Sequence, residues 1–166
     1  MYKRQSTDRS LEMIKKMAEH SPEVKFISFS RNFGKEAAIY AGLEAATGDY
    51  AAVMDVDLQD PPSLLPDMLK AIEKEGYDCA GTRRVTRQGE PLLRSFFARA
   101  FYKTIHQISD TRIVDGARDY KLMTRPVLEA LLSLKEYNRF SKGLYEWVGF
   151  RTKWFESVSY THLTLP

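Results

Sequence analysis

The spacing of apolar positions along the chain predicts alternating helices and strands. Leu11, Ile14, Met17 and Ala18 recur at helical intervals behind Ser6-Thr7-Asp8, a polar cluster suited to a helix start. Val24 to Phe29 has the length and composition of a short strand, and the Ala-rich run from Gly34 to Thr47 predicts a helix ending at Gly48. Tyr50 to Met54 is almost entirely apolar, as expected of a strand buried on both faces. Beyond the polar stretch from Asp55 to Pro62, prolines open a helix that runs to about Glu75 and is closed by Gly76. Tyr77 to Thr82 reads as a further strand, and Arg83 to Glu90 as a charged loop. A helix over 91–109 places Phe96, Phe97, Phe101, Ile105 and Ile108 among Arg94, Arg99 and Lys103. Then follow a strand over Tyr120–Met123, helices over Pro126–Leu134 and Phe140–Val148, and a strand over Thr152–Val158. Strands and helices joined by such short connections imply an α/β fold with a parallel sheet and right-handed crossovers.

Composition narrows this picture. At 166 residues and 43% hydrophobic content the chain suffices for one core, while 28% charged residues, 9 Gly and 7 Pro fit neither disorder nor a fibrous repeat. Cys79 is the only cysteine, which excludes an internal disulfide framework or a Cys-based zinc site and makes a reducing compartment the default. No apolar stretch approaches the roughly 20 residues that a bilayer crossing requires, and the N-terminal charges are not followed by an apolar signal segment. The net charge of +3 conceals an asymmetry: through Thr82 there are 10 basic against 14 acidic residues, and from Arg83 onward 15 against 8. An acidic first half and a basic second half suit separate cation- and anion-binding tasks, or an unevenly charged solvated surface.

The sharpest local feature is Asp55-Val56-Asp57-Leu58-Gln59, directly after an apolar strand. Ligands of open α/β sheets gather beyond the carboxyl ends of strands. Carboxylates two residues apart there can share one divalent cation, and Gln59 offers a neutral oxygen at the next alternate position. Mg²⁺ and Mn²⁺ favour such hard donors. An Asp-x-Asp pair also serves as ordinary turn chemistry. A phosphoaspartate hydrolase would place a hydroxyl residue near the position that Gln59 occupies here.

The run from Phe29 to Pro62, FSRNFGKEAAIYAGLEAATGDYAAVMDVDLQDPP, resembles the nucleotide-sugar and metal region of family 2 glycosyltransferases, with the polyprenyl-phosphate glycosyltransferases as the nearest group. The likeness continues through GTRR at Gly81–Arg84, RSFFARAFYK, DGARDYKLMTR at Asp115–Arg125 and RFSKGLYEWVGFR at Arg139–Arg151. It implies a GT-A fold, a Rossmann-like and mostly parallel sheet flanked by helices. It further implies inverting, metal-dependent transfer of a sugar from a UDP- or GDP-sugar to a polyprenyl phosphate at the cytoplasmic membrane face. Asp55, Asp57 and Gln59 fall on the family's metal and diphosphate motif, for Mg²⁺ or Mn²⁺. Arg83, Arg94 and Lys142 fall where basic groups meet phosphates, and Asn32 and Gly34 fall on the nucleotide-side loop or serve only as turn residues. Asp119 matches the family's acceptor-side aspartate, as a base or as an orienter, with Asp115 as its rival. Because a phosphate monoester is largely dianionic near neutral pH, an orienting role needs no proton transfer. Arg118 stands where the family usually has glycine.

In the resemblance the basic aromatic helix over 91–109 is a membrane-surface element, since an amphipathic helix with cationic flanks suits an anionic interface. Trp147 and Trp154 fit either an interface or a packed interior. The family's first strand is missing ahead of Ser6, and Met1–Gln5 and Tyr160–Pro166 depart from the family's pattern. The expectation is one catalytic domain over 6–159, truncated at both ends, with foreign residues at 1–5 and 160–166 and membrane helices belonging to the longer protein. Such a fragment would have an incomplete donor pocket. The implied partners are a nucleotide-sugar donor, a polyprenyl-phosphate acceptor and the membrane surface; a homo-oligomer is admitted and no nucleic-acid partner is expected. A glycan acceptor is disfavoured because no Gln-x-x-Arg-Trp motif occurs. A basic nucleic-acid-binding module is disfavoured because no recognition motif occurs and the basic residues are interspersed with acidic ones.

Overall fold

The computed structural model describes residues 9–56, 60–84, 114, 116–136 and 138–157. They divide into two compact units between Ala46 and Thr47.

In the first unit, helix α1 (Ser10–His20) forms as the periodicity predicts, with Glu12 paired to Arg9 at 3.1 Å and to Lys16 at 3.0 Å, but none of its residues is buried. Helix α2 spans Lys35–Glu44 and buries Leu43. Between them the strand expected over Val24–Phe29 is not formed, and Phe26 and Ile27 are exposed. Apolar composition does not make a strand without a ladder partner. The backbone bond found here, from Val24 N to the Ser21 carbonyl, is a turn contact.

The second unit is a four-stranded sheet in the order β1-β3-β2-β4, made of β1 (Tyr50–Val53), β2 (Cys79–Arg84), β3 (Ala117–Thr124) and β4 (Thr152–Ser157). β2 and β4 pair in parallel, while β3 lies antiparallel to both β1 and β2. Three strands therefore point one way and β3 runs against them. The fold is α/β, but among the described residues parallel pairing is confined to β2–β4. The reason lies at the end of β2: Arg84 N donates to the Gly116 carbonyl at 2.9 Å, so the chain re-enters the sheet beside the point where it left and must run back. β1 is an edge strand, with Ala51 buried but Tyr50 and Ala52 exposed, and so is not covered on both faces as its apolar run suggested.

Helix α3 (Leu65–Glu75) follows a 3-10 turn at Pro62–Leu64 and ends in left-handed Gly76, as the proline and glycine positions predict. It packs Met68 and Ile72 on Ala80, Tyr120 and Leu122, with Leu64, Leu65, Leu69 and Phe155 around them. Helix α4 (Arg125–Ser133) buries Val127, Leu128 and Leu131 and packs on β1 and β3. Helix α5 (Ser141–Trp147) lies on β3 through the partners of Lys121. Tyr120 and Lys121 point to opposite sides of the strand, so α3 and α5 cover opposite faces.

One rim of the sheet is held by polar contacts across three strands. The Asp78 carboxylate accepts from Arg151 N at 3.0 Å, its carbonyl accepts from Thr124 N at 3.1 Å, and the Arg151 guanidinium donates to the Gly76 carbonyl at 3.2 Å. At the opposite rim Gly116 adopts φ +74°, and a Cβ there would sit 2.5 Å from the Arg84 carbonyl oxygen. Gly116→Ala is expected to cost ~1–3 kcal/mol from strain and contact together, read as a lowered denaturant midpoint.

Candidate active site

The topology gathers charged residues at the rim where β1 and β2 end and β3 begins. Antiparallel insertion pairs Val53 of β1 with Lys121, and Arg83 of β2 with Ala117. Between these pairs the ladder shifts: two steps along β2, from Gly81 to Arg83, match four along β3, from Lys121 to Ala117. This irregularity lies where Arg118 and Asp119 leave the ladder for opposite faces.

On the α3 face Arg118 pairs with Asp60, Nε to Oδ1 at 2.9 Å, and Asp60 is 1% exposed. Beside them the Tyr120 hydroxyl donates to the Pro61 carbonyl at 3.4 Å. Burial, then the charge of Asp60, holds the Tyr120 phenol above its ordinary range. The start of β3 is thus fastened to the exit of the acidic segment. Removing one member of such a pair leaves a buried charge uncompensated.

On the α5 face Lys142 donates to the Ala117 carbonyl at 2.8 Å and lies 3.9 Å from an Asp119 carboxylate oxygen. Arg83 is held by Glu156 of β4 at 3.1 Å, an exposed pair, and exposed pairs contribute little. Asp55 follows the end of β1 and is half-buried.

Of the residues singled out by sequence, Asp55, Arg83, Asp119 and Lys142 belong to this unit, with Asp119 and Lys142 in direct range of each other. Asp57, Gln59, Arg94, Asp115 and the helix expected over 91–109 lie outside the described residues. Asn32 and Gly34 belong to the first unit, where Asn32 Oδ1 accepts from Gly34 N at 2.8 Å and Gly34 has φ +90°. This is the turn chemistry their identities allow. Among the described residues no group of three His, Cys, Asp or Glu side chains is arranged to hold a metal ion, and no helix is long and apolar enough to cross a membrane. As a donor set, the carboxylates of Asp55 and Asp57 and the amide oxygen of Gln59 match hard divalent cations. Trp147 is exposed, whereas Trp154 is half-buried and packs over Gly81.

Sequence reasoning missed three charged residues: Asp60, Glu156 and Lys121. Asp60 stands inside the DLQD run, and the unusual Arg118 was the signal of its partner. Lys121, flanked by apolar neighbours in a strand, carried no comparable sign. It is 2% exposed, with its ammonium 3.5 Å from Glu146 and over the rings of Tyr145 and Trp154 at 4.3 and 4.9 Å. Burial lowers its pKa, opposed by Cys79 and Glu146.

Comparison with known proteins assigns the chain to a class. The glycosyl transferase family 2 profile matches residues 4–132. The chain belongs to that family of enzymes. It is 46% identical over 155 residues to CsbB of Bacillus subtilis (strain 168), which bears a glycosyltransferase name, covering 92% of this chain and 46% of that one. It is 39% identical over 153 residues to the prophage bactoprenol glucosyl transferase homolog of Escherichia coli (strain K12) and to the bactoprenol glucosyl transferase of Shigella phage SfV, each covering 92% of this chain and 50% of the relative. The chain therefore spans about half the length of these relatives. Its fold is shared with the bifunctional IspDF of Campylobacter jejuni at a TM-score of 0.53 and 11% identity, over 87% of this chain and 35% of that one.

Burial of Cys79 gives the second unit a measurable pH dependence. Desolvation pushes its thiol from 9.0 up to about 11, with Lys121 opposing. A raised folded-state value means that the neutral thiol stabilises the fold fully below 9.0, and that this stability is lost as pH climbs through about 11. The lowered value of Lys121 acts in the opposite direction, with stability rising as pH approaches 10.5. Comparing wild type with Cys79→Ala reads the thiol together with its coupling to Lys121: wild type should lose ~2–3 kcal/mol relative to the variant across that interval, measured by denaturant melts at stepped pH.

Proposed function

We propose that this protein transfers a sugar from a UDP- or GDP-linked donor to a polyprenyl phosphate at the cytoplasmic membrane face, through a catalytic domain over 6–159. The observation that carries this reading is the convergence of Asp55, Arg83, Asp119 and Lys142 at one rim of the sheet. Family membership supports transfer chemistry, and relatives named bactoprenol glucosyl transferases support a lipid-phosphate acceptor.

In this reading Asp55, Asp57 and Gln59 hold Mg²⁺ or Mn²⁺, which supplies charge neutralisation to the departing diphosphate. Arg83 and Arg94 receive phosphate oxygens, for which a guanidinium's planar fork is suited. To do so Arg83 exchanges Glu156 for the ligand, a small loss because the pair is exposed. Lys142 adds a positive charge beside Asp119. Asn32 and Gly34, on the family's nucleotide-side loop, either meet the nucleotide or serve only as turn residues.

Asp119 orients the acceptor. Lys142 at 3.9 Å sets a cation beside its carboxylate. An acceptor phosphate already dianionic near neutral pH needs placement and charge compensation more than deprotonation. Inversion follows from direct attack of that phosphate oxygen on the sugar's anomeric carbon, on the face opposite the departing nucleoside diphosphate.

The test is a panel of UDP- and GDP-sugars against short-chain polyprenyl phosphate, with and without Mn²⁺. Asp57→Asn should lower turnover by about 10²-fold or more, and chelation should abolish it. Asp119→Asn should reduce kcat while leaving donor KM near the wild-type value. A rate unchanged by Asp57→Asn at limiting metal would reject the cation role, and a loss confined to nucleotide affinity would move Asp119 to the donor side.

A further inference from the structure

A buried lysine that the transfer reaction does not use lies beneath this rim. Among the described residues Glu146 is the one carboxylate in ion-pair range of Lys121. The remaining compensation for its charge comes from the faces of Tyr145 and Trp154. An ammonium withdrawn from water costs several kcal/mol unless such partners stay in place. Two of the three, Tyr145 and Glu146, belong to α5.

Helix α5 has seven residues and no side-chain cap, too short to be stable by its own hydrogen bonds. Its position depends on what it touches. Lys142 and Glu146 are one turn apart and share a face. At one end of that face Glu146 meets Lys121, and at the other Lys142 meets the Ala117 carbonyl and Asp119. Lys121 and Asp119 are themselves two residues apart on β3, so helix and strand are joined at two rungs on the same side.

Gly81 provides the room. It pairs with both Lys121 and Trp154, and a Cβ on it would stand 3.1 Å from Lys121 Cε and 3.0 Å from Trp154 Cζ3. With no side chain at this position, the lysine stem and the indole cross closely above the backbone. An apolar residue would fill the space occupied by the stem, but only a cation gives Glu146 a reason to stay.

We propose that Lys121 is a positioning residue: through Glu146 it fixes α5 in the placement that brings Lys142 against Asp119. This rests on the role assigned above to Asp119, so its test has one arm independent of activity. In that arm all lysines of the intact chain are acetylated with limiting acetic anhydride and read by mass spectrometry, with hydrogen exchange followed at α5. In folded Lys121→Met, Lys142 labelling should accelerate about tenfold and α5 amides should lose protection. Lys153→Met, which removes a different lysine on β4, should leave both unchanged. Should Lys121→Met fail to fold, Glu146→Gln carries the same two readings, since it removes the charge that anchors the helix.

In the second arm, transfer kinetics should show kcat reduced about tenfold in Lys121→Met at an unaltered donor KM. Unchanged Lys142 labelling and α5 protection in the folded variants would overturn the positioning role. Absence of transfer by the wild-type protein would instead reject the proposed function and leave the labelling arm to decide the role of Lys121.

Discussion

The antiparallel insertion of β3 between β1 and β2 is the constraint on which the second unit depends. Because β3 runs against its neighbours, its beginning lies beside their ends, and residues remote in sequence share one rim. Asp55 follows β1, Arg83 ends β2, and Arg118 and Asp119 begin β3. A strand added in the parallel sense would carry Arg118 and Asp119 to the opposite rim. Their position is therefore a property of strand direction before it is a property of any side-chain contact.

That strand also separates two kinds of electrostatic environment. Toward α3, Arg118 and Asp60 form a nearly enclosed ion pair beside the Tyr120 hydroxyl. Toward α5, Asp119 and Lys142 are only partly covered, and the fully covered cation is Lys121, two residues farther along the strand. Enclosed charges lock backbone segments together because parting them strands an ion away from water. Partly covered charges remain within reach of a ligand. Adjacent residues of one strand thus divide the work, with Arg118 fastening and Asp119 accessible.

Much of this was legible in the sequence where local chemistry dominates. The prolines at 61–62 and the left-handed Gly76 bound α3, and the periodic apolar residues of α1 and α4 give helices. Strand direction was not legible, because a ladder's sense is set by where the chain returns, here by the Arg84–Gly116 bond. Val24–Phe29 looked like a strand for its composition, and strands are completed by partners that composition does not specify. Asp119 and Arg83 were legible through ordered motifs. Lys121 was not, since its burial depends on the Tyr145–Glu146 pair, Trp154 and the bare backbone of Gly81 converging from three places in the chain.

The contacts among Gly76, Asp78, Thr124 and Arg151 have a consequence for how such a scaffold diversifies. They align three strands at the rim farthest from the charged cluster. With alignment secured there, exposed residues at the other rim, such as Arg83 and Glu156, can be exchanged without shifting the strands past one another. Mutational tolerance should therefore be graded along the strands, lowest around Asp78 and rising toward Arg84, so that new specificities can arise on an unaltered frame.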